Sequence, residues 1–172
     1  MAQTRKNAVK SKGNPIDLEG PELKVGDKAP FDFSLSRNDL SALAGTELSR
    51  QPRIVVTVPS LDTSVCDLQT RRFNEEAAKI PGVKIYTVSM DLPFAQKRWC
   101  GAAGIERVIT LSDFKDRTFG RTWGVWAPAL GLLARAVFVV DKDDTVRHVE
   151  YVSDMSQQPD YEKAIEAAKK LG

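Results

Sequence analysis

Cysteine and histidine are scarce in this chain: 172 residues hold two cysteines, Cys66 and Cys100, and one histidine, His148. A structural zinc site needs about four nitrogen or sulfur ligands close together, so no metal is expected. Two thiols with 33 residues between them are also too few for the disulfide framework of a small secreted domain. No stretch approaches the ~20 apolar residues of a membrane span. The polar, basic start from Met1 to Gly13 lacks the apolar middle of a secretory signal. These absences describe a cytoplasmic protein without a membrane role. His148 falls in a strand-like run and is expected to face solvent.

The chain is 42% hydrophobic and 28% charged, and its length suits one domain around a single core. Charge is unevenly placed: Arg5, Lys6, Lys10 and Lys12 fall in the first twelve residues with no acid among them. Such a block is usually a solvated arm. Residues 1–12 are therefore expected to be a flexible extension, and residues 13–172 the folded domain. Nothing elsewhere supports a nucleic-acid partner.

Pro and Gly between Gly13 and Pro30 suggest turns and an N-terminal hairpin. Arg53 to Val58 is β-branched and almost continuous, as in a strand covered on both faces. Asp62-Thr63 can then cap a helix, with Val65, Leu68, Phe73, Ala77 and Ile80 at helical spacing and Pro81-Gly82 as its stop. Val83 to Met90 reads as a second strand. Pro93 opens a helix that carries Trp99 and Cys100. Val108 to Leu111 is a short strand, and Phe114 to Trp126 a mixture of helix and loop. Ala134–Val140 and Thr145–Val152 form a hairpin through the Asp141–Asp144 turn. Pro159–Leu171 is a helix whose early acids and late lysines suit its dipole. The order β-α-β-α-β-α-β-β-α predicts an α/β fold of the thioredoxin type, with a central mixed sheet flanked by helices.

Cys66 ends the segment Pro59-Ser60-Leu61-Asp62-Thr63-Ser64-Val65-Cys66, at the expected start of a helix. The thiolate is the reactive form of cysteine. A helix N-terminus offers an anion about 0.3–1 kcal/mol, less than the ~1.36 kcal/mol that corresponds to one pKa unit. With Asp62 and Asp67 nearby, a fixed cation is needed as well. Arg71, Arg72, Arg98, Arg121 and Arg135 are available, and Arg135 stands out because it interrupts the apolar run Leu132–Phe138. It either meets the sulfur or ends the strand in water. Thr63 can cap the helix, face the sulfur, or both, and Pro59 can wall the pocket against water.

Pro59-(x)3-Thr63-(x)2-Cys66 resembles the active-site motif of the peroxiredoxins. The segments Ser60–Cys66, Arg71-Arg72-Phe73-Asn74, Ser89–Gly101 and Leu133–Val137 are similar to the bacterial thiol peroxidase subfamily, the atypical two-cysteine peroxiredoxins. The likeness spans roughly residues 11 to 171. Residues 1–10 lie outside it, and Trp123 to Gly131 matches no feature of the family. The resemblance implies that Cys66 is the peroxidatic cysteine, Cys100 the resolving cysteine, and Thr63 and Arg135 the activating pair. It also implies a cofactor-free homodimer that reduces hydrogen peroxide or organic hydroperoxides and is recycled by thioredoxin. With both cysteines on expected helices, joining them requires local unwinding. A thiol–disulfide oxidoreductase of the Cys-x-x-Cys kind is disfavoured, because position 69 is Gln; a redox sensor would oxidise once and stop.

Overall fold

The computed structural model describes residues 3–171 and begins with an antiparallel hairpin, β1 (Thr4–Ser11) and β2 (Asn14–Glu19). The expected flexible extension is thus a strand, and the hairpin lies earlier than residues 13–30. The reason is a short apolar face hidden among the cations: Val9 and Leu18 are buried in the core, with Ala8 and Ile16 packed beside them. Arg5 lies over the Tyr151 ring, 5.0 Å from its centre, and its Nε donates to the Gly20 carbonyl. Lys12 and Gly13 make the two-residue turn, both with positive φ (50° and 85°), as a type I′ hairpin demands.

Two short strands follow, β3 (Ser34–Ser36) and β4 (Ala42–Ala44). The main body runs β5 (Arg53–Thr57), α1 (Ser64–Ala77), β6 (Lys84–Ser89), α2 (Pro93–Ala103) and β7 (Val108–Ser112). It continues through α3 (Thr118–Thr122), β8 (Trp126–Ala127), β9 (Leu132–Leu133), β10 (Ala136–Val140), β11 (Val146–Tyr151) and α4 (Tyr161–Lys169). One mixed sheet has the order β11-β10-β5-β6-β7-β3-β4, and a smaller sheet the order β1-β2-β8-β9. β5, β6 and β7 are parallel, while β10 joins β5 antiparallel.

Side chains alternate across the main sheet with the period of two that strands impose. Val137 and Val139 of β10 enter one cluster with Phe73 of α1 and Ile165 of α4. Ala136, Phe138 and Val140 enter the opposite cluster with Phe119 and Trp123. Trp123 stacks on Phe119 (centroids 5.1 Å apart) and meets Phe138 edge-on at 4.9 Å. The segment 123–131, unmatched in the sequence, is therefore partly core and partly the β8–β9 hairpin.

Two further expectations are corrected. Leu68 is exposed, because the inward face of α1 is Cys66, Gln69, Thr70 and Phe73, positions i, i+3, i+4 and i+7 of one helical stripe. His148 is half-buried rather than solvent-facing; desolvation holds its pKa down, and its Nε2 has no hydrogen-bond partner.

Candidate active site

The parallel strands deliver their C-terminal ends to one edge of the sheet, where ligands of open α/β sheets bind. β5 ends there at Thr57, and residues 58–62 lead into α1. That loop is tied to the start of α2 by Asp91, whose carboxylate accepts from Ser60 Oγ (2.7 Å) and the Leu61 N–H (2.8 Å). Thr63 is the N-cap: its hydroxyl oxygen accepts from the Cys66 N–H at 3.3 Å and its proton goes to the Ser60 carbonyl. Cys66 consequently stands in the first turn of α1 with no exposed surface.

Arg135 directly precedes β10 and is 1% exposed. Its Nη2 donates to Cys66 Sγ at 3.1 Å, and its Nε and Nη2 both donate to the Met155 carbonyl (3.0 and 2.9 Å). Nη1 donates to Gln69 Oε1 at 2.6 Å. The guanidinium is thus fixed on three sides, and its bond to the sulfur is strongest when the sulfur is anionic. Sequence reasoning missed Gln69 and Met155. Gln69 carries a signal, since it is a polar residue on the apolar stripe of α1; Met155 acts through its backbone and leaves none.

A cavity of about 390 Å³ opens beside the site, lined by Pro59, Thr63 and Arg135 together with Val65, Leu130 and Leu132. Ser11 and Lys12 of the hairpin, with Ser64, Met155 and Ser156, complete its wall. A larger cavity of about 580 Å³, between β11 and α4, includes His148 but none of these residues.

The structure brings Thr63 and Arg135 to Cys66 and puts Pro59 in the wall of the adjoining cavity, but leaves Cys100 elsewhere. Both thiols are free. Cys100 occupies the last turn of α2, half-buried, with Sγ 3.5 Å from Thr110 Oγ1. The Thr110 hydroxyl also lies within hydrogen-bond distance of Asn38 Oδ1. Burial pushes the Cys100 pKa up, and the contact with Thr110 offsets this only in part. A latch joins the two helices: Trp99 Nε1 donates to Asp67 Oδ1 and Arg71 Nε to Asp67 Oδ2, each at 2.9 Å. α2 ends at Gly104 in the left-handed region (φ 68°), a conformation glycine adopts without strain.

Residues 24–165 match the family model described as redoxin. The chain is 56% identical to the thiol peroxidase of Halalkalibacterium halodurans, over 94% of this chain and 97% of the relative. It is 54% identical to the thiol peroxidase of Bacillus subtilis, over 93% and 95%. Its fold superposes on the crystal structure of a peroxiredoxin-like protein from Aquifex aeolicus with a TM-score of 0.87, at 43% identity, covering 96% of this chain and 98% of that one.

Proposed function

The chain belongs to the redoxin family, among the bacterial thiol peroxidases, and on that premise we propose a cycle in which Cys66 attacks the peroxide, Cys100 resolves the product and thioredoxin restores both thiols. The observation that carries it is the guanidinium N–H 3.1 Å from a buried Cys66 sulfur at the start of a helix, beside an open cavity.

In the first step the Cys66 thiolate attacks one peroxide oxygen and the O–O bond breaks. The departing oxygen takes a proton and leaves as water or an alcohol, and Cys66 becomes a sulfenic acid. Arg135 and the Thr63 hydroxyl hold the peroxide oxygens and stabilise the charge that gathers as the bond stretches. Pro59 keeps competing water from that side of the sulfur. Cys100 then attacks the sulfenic sulfur, forming a disulfide and releasing water. Reduced thioredoxin exchanges thiols with that disulfide and is itself oxidised.

Hydrogen peroxide and organic hydroperoxides are the substrates, with no cofactor and no metal in the cycle. The place of work is the reducing cytoplasm, where thiols of this kind are kept open. The protein acts as a homodimer, for which the exposed Leu92 and Phe94 at the start of α2 offer apolar surface. NADPH consumption coupled through thioredoxin and its reductase tests the cycle. Cys66→Ser is expected to abolish it, and Cys100→Ser to consume about one peroxide per chain and then stop. Sustained cycling by Cys100→Ser removes Cys100 from the scheme. Sedimentation velocity checks the dimer.

A further inference from the structure

The two stretches that the sequence left without a role, the basic N-terminal segment and residues 123–131, meet at the cavity that Thr63 and Arg135 line beside Cys66. Leu130 and Leu132 supply apolar wall there with Val65 and Met155, and Lys12 stands among the lining residues. Lys12 and Arg135 are the charged residues of that lining, and no acid is among them. Arg135 is committed to Cys66, Gln69 and the Met155 carbonyl. Lys12 is exposed and makes no ion pair among the described residues.

The placement of Lys12 is fixed. Its N–H and that of Gly13 donate to the Asp154 carboxylate, at 3.2 and 2.9 Å. Next to them, Lys10 N–H donates to the Ser153 carbonyl and Met155 N–H to the Lys10 carbonyl, both at 2.8 Å. The hairpin tip is thereby clamped to the loop whose Met155 carbonyl orients Arg135. Ser156 donates to Asp154 through its hydroxyl and its N–H. Those bonds, Ser156 first, hold the Asp154 pKa well below the usual carboxylate range. Asp154 therefore spends its oxygens on the turn. Lys12 also occupies the first central position of a type I′ turn at φ 50°, where Asn or Gly fits without strain. A residue held in a sparsely populated conformation beside a site invites a functional explanation.

We propose that Lys12 is a specificity residue that receives the carboxylate of an amphipathic hydroperoxide whose apolar body lies along Val65, Leu130 and Leu132. This rests on the peroxidase cycle above and names the substrate class that its cavity favours. The chemistry is unchanged: the –OOH group meets Cys66 and the carboxylate stays a spectator at the rim. The contact is a solvent-exposed ion pair, so its effect is modest and weakens with salt.

The test compares a ten-carbon hydroperoxy carboxylic acid with its methyl ester, reading kcat/KM for each in the wild type, Lys12→Asn, Lys12→Glu and Lys84→Glu. Lys12→Asn relieves the turn, so it folds, and it removes the charge. Lys84→Glu makes the same charge change on exposed surface at the start of β6. The wild type is expected to favour the acid roughly two- to fivefold at low salt, Lys12→Asn to lose that preference, and Lys12→Glu to invert it, while Lys84→Glu keeps it. An acid-to-ester ratio of one in the wild type, or one that Lys12→Asn leaves alone, overturns the proposal. So does a Lys84→Glu effect as large as that of Lys12→Glu. Hydrogen peroxide turnover by the wild type separates the two levels: if it proceeds, only the substrate class has failed; if it is absent, the peroxidase cycle has.

Discussion

Cys66 has no exposed surface and a guanidinium N–H 3.1 Å from its sulfur, whereas Cys100 is half-buried and meets the Thr110 hydroxyl at 3.5 Å. One stands in the first turn of a helix, the other in the last. Helix termini carry partial charges of opposite sign, positive at the start and negative at the end. Two identical side chains thus stand in opposite surroundings, one beside a guanidinium at the start of a helix and the other where burial pushes its pKa up. Burial is common to both sulfurs; the guanidinium is particular to Cys66.

Removing the fixed charge should break the contrast most severely. Arg135→Met is expected to slow peroxide consumption about 100-fold, the scale of losing one preorganised donor, read by stopped flow at limiting peroxide. A rate within a few-fold of wild type returns Arg135 to a purely structural role. The second test addresses the neutral thiol. Because burial raises the Cys100 pKa, iodoacetamide should label Cys100 in a Cys66→Ser chain well below the rate of a free thiol at pH 8. Labelling should climb steeply above pH 9, with thiolate falling about tenfold per pKa unit. Labelling as fast as glutathione contradicts this.

A smaller effect is expected at the latch between the helices. Peroxide should change Trp99 emission as the last turn of α2 unwinds, and Asp67→Ala, which frees the indole N–H, should speed that change roughly fivefold, the value of one ~1 kcal/mol hydrogen bond. An unchanged spectrum during disulfide formation would rule out the rearrangement. Asp113 sharpens the comparison most gently, as a buried acid whose hydrogen bonds come from backbone N–H groups rather than a guanidinium. It accepts the N–H groups of Phe119 and Gly120, yet burial pushes it up to about 7 from an ordinary 3.8. The folded state thus favours the protonated form, a stabilisation present below about pH 4 and lost as pH rises through 7. Urea denaturation of Asp113→Asn should show its deficit against wild type shrinking between those values. A constant deficit contradicts the assignment.

The α/β order and the strand–turn–helix around Cys66 are legible in the sequence, because β-branched runs and a Thr N-cap are local signals. The N-terminal strand is not. Its three cations, with Lys12 in the turn, dominate the composition, while two inward residues, Val9 and Leu18, belong to different strands and become a pattern only once the strands pair. Arg135 is conspicuous as a charge in an apolar run. The groups that hold it are another matter: Gln69 lies 66 positions away and Met155 contributes a carbonyl, and no propensity encodes such distant contacts.

The clamp between residues 10–13 and 153–155 has a consequence for biosynthesis. A ribosome releases the first of these segments long before the second. Until residue 155 has emerged, the nascent chain holds Cys66 without the carbonyl that orients the Arg135 guanidinium. The surroundings of that sulfur are thus assembled only after both segments are out.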